Sequence, residues 1–228
     1  MIISGFQKLT LLDYPEKTAC LIFTQGCNFR CPFCHNKDLL CHSKGEFQEE
    51  EIFNYLEKRK GLIDGVCITG GEPLLQPDIQ KFISKIKDMG FLVKLDTNGS
   101  NPEKLQELLN LNLLDYVAMD IKNDFNDYLE TSGIFKFNLD NIKKSIEIIK
   151  NSGIDYEFRT TIVKQLHNLD KILSICEYLG CDTKYYLQNY NDCETVLKKG
   201  LTGFENDELI NFKNILNKTY PNVIIRGI

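Results

Sequence analysis

From Ala19 onward the chain alternates short apolar, β-rich runs with stretches whose apolar residues recur every three or four positions, and this alternation constrains the fold more than any other feature. The runs are ACLIFT, DGVCIT, FLVKLD, DYVAMD, YEFRTTIV and KYYLQNY. Between them, sets such as Ile79, Phe82, Ile83 and Ile86, or Ile142, Ile146 and Ile149, mark one face of an amphipathic helix. Six strand-helix units predict an α/β fold, a partial (β/α)6 barrel with mostly parallel strands, because the units are too few for a closed eightfold barrel. A doubly wound sheet is the competing topology. No low-complexity linker, charge block or internal repeat divides the 228 residues, so a single domain is expected. It comprises an N-terminal edge segment 1–18, a βα core of about 19–190 and a C-terminal extension of about 191–228, with a last helix near 206–218 and a closing VIIR run.

Charge narrows the function classes. With 27 basic against 32 acidic residues the net charge of -5 offers no general attraction to nucleic-acid phosphate or anionic lipid. The opening MIISGFQKLTLLDYPEK has neither a basic n-region with an apolar h-region nor a small-residue cleavage site, and no apolar run reaches membrane-spanning length. The expected location is cytoplasmic.

The nine cysteines are unevenly distributed, with Cys27, Cys31 and Cys34 inside the single run CNFRCPFCHN. Their C-x3-C-x2-C spacing offers three thiolates from one loop and leaves a fourth ligand open. An iron-sulfur cluster with one iron reserved for a non-protein ligand fits this donor set. A structural zinc site that recruits Cys41, His35 or His42 as its fourth ligand fits it as well. Cys20, Cys67 and Cys176 fall on apolar faces and read as core, whereas the spacing of Cys176, Cys181 and Cys193 matches no compact ligand loop. In βα folds reactive groups gather at the C-terminal ends of strands. Those ends carry the cysteine loop, TGGEP at residues 69–73, DTNG at 96–99 and DIK at 120–122. The adjacent glycines of TGGEP permit close backbone approach to a ligand.

The pair CNFRCPFCHN and TGGEP resembles the radical S-adenosylmethionine superfamily. Together GFQKLTLLDYPEK, FTQGCNFRCPFCHN, TGGEPLLQ, VKLDTNGS and DYVAMDIK, spread over about the first half of the chain, are similar to the activating enzymes of glycyl-radical proteins, nearest to the anaerobic ribonucleoside-triphosphate reductase activating type. The resemblance implies that Cys27, Cys31 and Cys34 hold one 4Fe-4S cluster, whose fourth iron is chelated by S-adenosyl-L-methionine. It implies further that Phe33 borders the adenine, that Gly70, Gly71 and Glu72 bind the methionine ammonium, and that Asp96, Asp120 and Lys122 line the cofactor, where some activases also bind a monovalent cation. Asp96 and Asp120 could instead act as caps at strand ends. Lys122 and Arg159 could meet the cofactor carboxylate or pair with nearby acids. Thr97 and Asn98 read as turn formers before Gly99. His35 is expected to order the cysteine loop and His167 to begin a helix, neither serving as a general base.

Only 35 residues separate Cys34 from Gly70, and of the two cysteines among them, Cys41 and Cys67, the second lies in an apolar strand run, so a second-cluster insert is not expected. The reducing electron is therefore expected from a separate flavodoxin or ferredoxin. The implied activity is reductive cleavage of S-adenosyl-L-methionine to a 5'-deoxyadenosyl radical that creates a glycyl radical on a partner, expected to be an anaerobic ribonucleotide reductase. A radical enzyme acting on a small molecule such as a deazapurine precursor, and a zinc-stabilised binding module, are the alternatives.

Overall fold

Eight strands follow one another in the sheet in the order of the sequence: β1 (Ile3–Thr10), β2 (Ala19–Thr24), β3 (Gly65–Gly70), β4 (Leu92–Thr97), β5 (Tyr116–Asp120), β6 (Asp155–Ile162), β7 (Tyr185–Asn189) and β8 (Val223–Arg226). The computed structural model describes residues 1–40 and 45–227; Cys41 and His42, named above as zinc ligands, lie outside the described residues. The six expected strands are β2 to β7. β1 adds an antiparallel edge to β2, and the VIIR run becomes β8, parallel to β7. The sheet is thus open and mostly parallel, in the α/β class expected. The helices are α1 (Glu49–Glu57), α2 (Ile79–Asp88), α3 (Pro102–Asn110), the single turn α4 (Tyr128–Thr131), α5 (Asp140–Lys150), α6 (Leu169–Leu179) and α7 (Asn206–Leu216). Among the described residues no helix is long and apolar enough to cross a membrane.

The described residues form two compact units. The first comprises residues 1–28, 38–118 and 140–155, the second residues 29–37, 119–139 and 156–228. In the first unit the parallel register aligns Cys20 with Val66 and Val66 with Val93, a wholly apolar row that amphipathic helices can cover. α2 buries Ile79, Phe82, Ile83 and Ile86 for this purpose. The alternate row carries Leu21, Cys67 and Lys94. Near the N-terminal strand ends Tyr14, Ala19, Tyr116 and Ala118 form an apolar cluster with Leu92. Lys94 stands beyond that cluster, 1% exposed, with its ammonium 5.8 Å from the Tyr116 ring centroid.

In the second unit Phe158, Thr160, Ile162, Tyr185 and Leu187 are buried on one face, and α6 presents buried Ile172, Ile175, Cys176 and Leu179. The opposite face holds charges in pairs. Glu157 is 1% exposed and accepts two hydrogen bonds from Arg226, at 3.0 and 2.9 Å, while the Arg226 guanidinium lies 3.6 Å from the Tyr186 ring centroid.

α6 starts where Asn168 caps it, the side chain accepting the Lys171 N–H at 3.0 Å. His167 stands just outside the helix and does not begin it. Its Nδ1 accepts the Val163 N–H at 3.0 Å, which leaves Nε2 to donate to the Lys122 carbonyl at 2.9 Å. Burial lowers its pKa, consistent with a neutral ring that ties β6 to the segment after β5. Because the buried face rather than the cap carries most of the stability, Ile172→Ala is expected to cost about 2–5 kcal/mol. Asn168→Ala is expected to cost about 1 kcal/mol. Urea denaturation of both variants checks the ranking.

Candidate functional site

The TGGE segment fastens the start of the cysteine loop. Gly71 N–H donates to the Thr24 carbonyl at 3.0 Å and Glu72 N–H to the Gly26 carbonyl at 2.8 Å. A Cβ on Gly71 would stand 1.9 Å from the Gly26 oxygen, so the contact requires glycine. Gly70 closes β3 and lies against Thr24. The Gly71 and Glu72 amides are thus engaged with the chain itself.

Glu72 is fully buried. Its carboxylate accepts the Leu74 N–H at 3.1 Å, the Thr97 hydroxyl at 2.8 Å and the Asn98 N–H at 2.6 Å. Three charge-directed hydrogen bonds offset much of the cost of taking a carboxylate out of water. Through them the end of β3 sets the loop after β4. Thr97 and Asn98 do form a turn, accepting the Gly99 and Ser100 N–H groups at 3.1 and 2.9 Å. Asn98 also does what the sequence reading missed: its amide donates to Asn28 at 2.9 Å and lies 3.8 Å from the Cys27 sulfur. The turn reading had already accounted for the residue, and no spacing rule signals a strand-end amide reaching a thiol 71 positions away. Asp96 pairs with Lys94 two residues earlier on the same strand face, with the Cys67 sulfur 3.8 Å from the ammonium. Lys94 escaped the sequence reading because a lysine inside a strand reads as solvent-facing.

Cys27 belongs to the first unit, Cys31 and Cys34 to the second. Cys31 is buried and Cys34 half-buried, with the Cys34 N–H donating to the Cys31 carbonyl at 3.0 Å. This part of the loop rests on the end of α4. Arg30 N–H donates to the Ser132 carbonyl at 2.8 Å, and the Cys31 thiol points to the same oxygen at 3.8 Å. Gly133 makes the approach possible: its φ is +65°, and a Cβ there would stand 2.1 Å from the Arg30 oxygen. From the other side Leu197 and Lys198 donate N–H groups to the Cys34 and Pro32 carbonyls at 3.0 and 2.9 Å. His35 orders the same region, its Nε2 2.8 Å from the Asn191 carbonyl. Phe33 is buried, edge-on to His167.

Asp120 receives Arg159 Nε at 2.9 Å on one oxygen and Lys122 Nζ at 3.1 Å on the other. Lys122 and Arg159 are therefore both paired with Asp120, and both are largely buried. Burial works to raise the Asp120 pKa, and the two cations outweigh it, holding the carboxyl down to about 2. A carboxyl whose folded pKa lies below its unfolded value contributes stability that is present above about pH 4 and lost as the pH falls toward 2. Asp120→Asn is thus expected to lower stability at neutral pH and to flatten its decline between about pH 4 and pH 2. Glu72→Ala, which strands three buried donors, is expected to cost about 3 kcal/mol or more. Chemical denaturation across a pH series checks the first and at neutral pH the second.

The Radical SAM superfamily profile matches residues 21–179. A protein of Methanocaldococcus jannaschii provisionally named a glycyl-radical enzyme activating enzyme is 36% identical over 237 aligned positions, covering 100% of this chain and 96% of the relative. The pyruvate formate-lyase-activating enzyme of Clostridium pasteurianum is 32% identical over 83% of this chain and 82% of its own. Among solved structures, Streptococcus suis SuiB bound to S-adenosylmethionine superposes with a TM-score of 0.71 at 16% identity over 89% of this chain, and anSMEcpe with bound AdoMet with a TM-score of 0.61 at 16% identity, also over 89%. The chain spans about half the length of SuiB, 48%, and 62% of anSMEcpe, and at such identity the likeness shows the fold alone, an open α/β sheet of the partial-barrel kind. Membership in the superfamily sets aside the zinc-module alternative and brings with it a 4Fe-4S cluster and S-adenosylmethionine as the family's cofactors. The chain belongs to the radical SAM superfamily and, within it, to the glycyl-radical enzyme activating enzymes.

Proposed function

We propose that this chain activates a glycyl-radical enzyme by abstracting a hydrogen atom from a backbone glycine Cα of that partner, and that the partner is an anaerobic ribonucleoside-triphosphate reductase. The observation that carries the reading is the likeness along the whole chain to an enzyme named for this activity, the cysteine loop included. Cys27, Cys31 and Cys34 would each hold one iron of a single 4Fe-4S cluster. In a cubane each thiolate has its own iron, so the ligands need not meet at one point. The cluster and S-adenosylmethionine, when bound, would supply one-electron reductive cleavage of the cofactor's S–C5' bond, with the electron drawn from a flavodoxin or ferredoxin and the glycine hydrogen ending on 5'-deoxyadenosine.

The chain's own residues hold and shape the loop. The Gly71 and Glu72 amides fix its start on the Thr24 and Gly26 carbonyls, and Asn98 places a polar hydrogen near Cys27. Gly70, Gly71 and Glu72 contribute carbonyls and backbone shape toward a methionine ammonium. Phe33 supplies an apolar wall for adenine. Lys122 and Arg159, fixed by Asp120, give the second unit a positive edge suited to a carboxylate, with Asp96 a further polar contact. Asp120 already bears two cations, so a monovalent cation would take another carboxylate. Net negative charge supports a protein partner over nucleic acid, and a cluster of this kind suits a reducing cytoplasm.

The similarity to a pyruvate formate-lyase-activating enzyme favours a second reading in which the partner is that lyase. Anaerobic reconstitution with iron and sulfide, reduction, and electron paramagnetic resonance with either partner separates the two. The expected result is a cluster signal shifted by S-adenosylmethionine, 5'-deoxyadenosine as product and a glycyl-radical doublet on the reductase. A doublet on the lyase alone moves the assignment to that partner; no 5'-deoxyadenosine from the reduced, cluster-loaded protein refutes the activity.

A further inference from the structure

The proposed reaction consumes one electron, and the protein that delivers it must approach the cysteine loop from solvent. In the second unit, residues 191–200 form an outer cover of that loop. They are clasped to residues 32–37 at four points: the Leu197 and Lys198 N–H groups on the Cys34 and Pro32 carbonyls, the His35 ring on the Asn191 carbonyl, and the Lys37 ammonium on the Glu194 carbonyl. Val196 is buried in this segment, and its other residues are exposed. One hydrogen bond therefore separates solvent-exposed Leu197 from Cys34. On the opposite side of the loop Gly133 packs on the Arg30 oxygen, and Phe135, two residues further on, is fully exposed. Apolar side chains exposed singly need no explanation, but these two border one loop together with cations.

The charge of this face is opposite to that of the chain. The whole sequence carries -5, whereas the face holds Arg30, Lys37, Lys198 and Lys199 against the carboxylates of Asp192 and Glu194. The Lys37 and Lys199 ammonium groups bind the Glu194 and Cys193 carbonyls at 2.7 and 2.6 Å, which fixes their directions without neutralising them. Asp192 accepts the Tyr190 hydroxyl at 3.2 Å. Apolar side chains with a cationic rim have the anatomy of a docking surface, and opposite charge steers the encounter with a partner. We propose that this face docks the one-electron carrier protein that reduces the cluster, and that the carrier presents an acidic surface to it. The inference rests on the cluster assignment above. In the step itself one electron leaves the reduced carrier and enters the cluster, and no bond forms or breaks. An electron can enter through any cysteine ligand, whereas the glycine of the activated enzyme must reach S-adenosylmethionine. A face fastened to the Cys34 and Pro32 carbonyls therefore suits the carrier.

The test is stopped-flow reduction of the reconstituted full chain, wild type and the double variant Lys37→Glu/Lys199→Glu. The reductants are a reduced flavodoxin of net negative charge and, separately, photoreduced deazariboflavin, a small neutral molecule that needs no docking. Iron and sulfide analysis reads cluster content independently, and calorimetry reads the affinity for oxidised flavodoxin. Reduction by flavodoxin is expected to be about tenfold slower in the variant, with weaker binding, at unchanged iron content and unchanged reduction by deazariboflavin. Added salt is expected to slow the flavodoxin reaction of the wild type and to leave that of the variant little changed. Equal flavodoxin rates in the two proteins overturn the proposal while leaving the cluster in place. A variant that flavodoxin reduces normally but that no longer forms the glycyl radical assigns the face to the activated enzyme, which also overturns the proposal. A wild-type chain that holds no cluster overturns the underlying assignment as well. Should the double variant fail to fold, Lys199→Ala replaces it: a several-fold slower flavodoxin reaction supports the face, and an unchanged one refutes it.

Discussion

The buried Glu72 carboxylate is the interaction on which the candidate site of the first unit depends. It is an ion removed from water, and such an ion is tolerable only with a full set of donors, so its three partners are fixed relative to it. Two of those donors belong to the turn after β4 and one to the 3-10 turn that follows Glu72 itself. Since the Glu72 amide is bound to Gly26 at the same time, one residue joins the ends of β2, β3 and β4. Asn98 then reaches Cys27 as a consequence of that arrangement.

The second unit solves the same problem by different means. Here the loop is gathered from several points. Backbone groups do so: Ser132 O and the glycine after it receive one side, and the N–H groups of Leu197 and Lys198 hold the other. The charged face of this unit is organised by ion pairs, Asp120 with Arg159 and Lys122, and Glu157 with Arg226. Buried pairs of this kind add little net stability over apolar packing, but breaking one leaves an uncompensated charge. They hold the cationic side chains in fixed directions.

For the fold, the strands were legible because burial on a parallel sheet demands near-continuous apolar runs, and ACLIFT or DYVAMD leave little choice of conformation. The helices were legible from period, as with Ile142, Ile146 and Ile149 of α5. β8 was less so, since four residues of VIIR acquire strand character only by pairing with β7. For the site, the cysteine loop and TGGEP were visible as motifs, but not the backbone bonds from Gly71 and Glu72 to the Thr24 and Gly26 carbonyls that join them.

The sequence by itself determined the order of strands and helices, the three-thiol loop and the position of every polar motif at a strand end, because each is set by spacing within a few residues. Only the tertiary structure decided that Glu72 is a buried anchor, that Lys94 is a buried partner of Asp96, that Asn98 meets Cys27 and that Ser132 meets Cys31. These are pairings between segments up to 101 residues apart, and burial, which turns an ordinary polar side chain into one that must find a specific partner, exists only once those segments have packed.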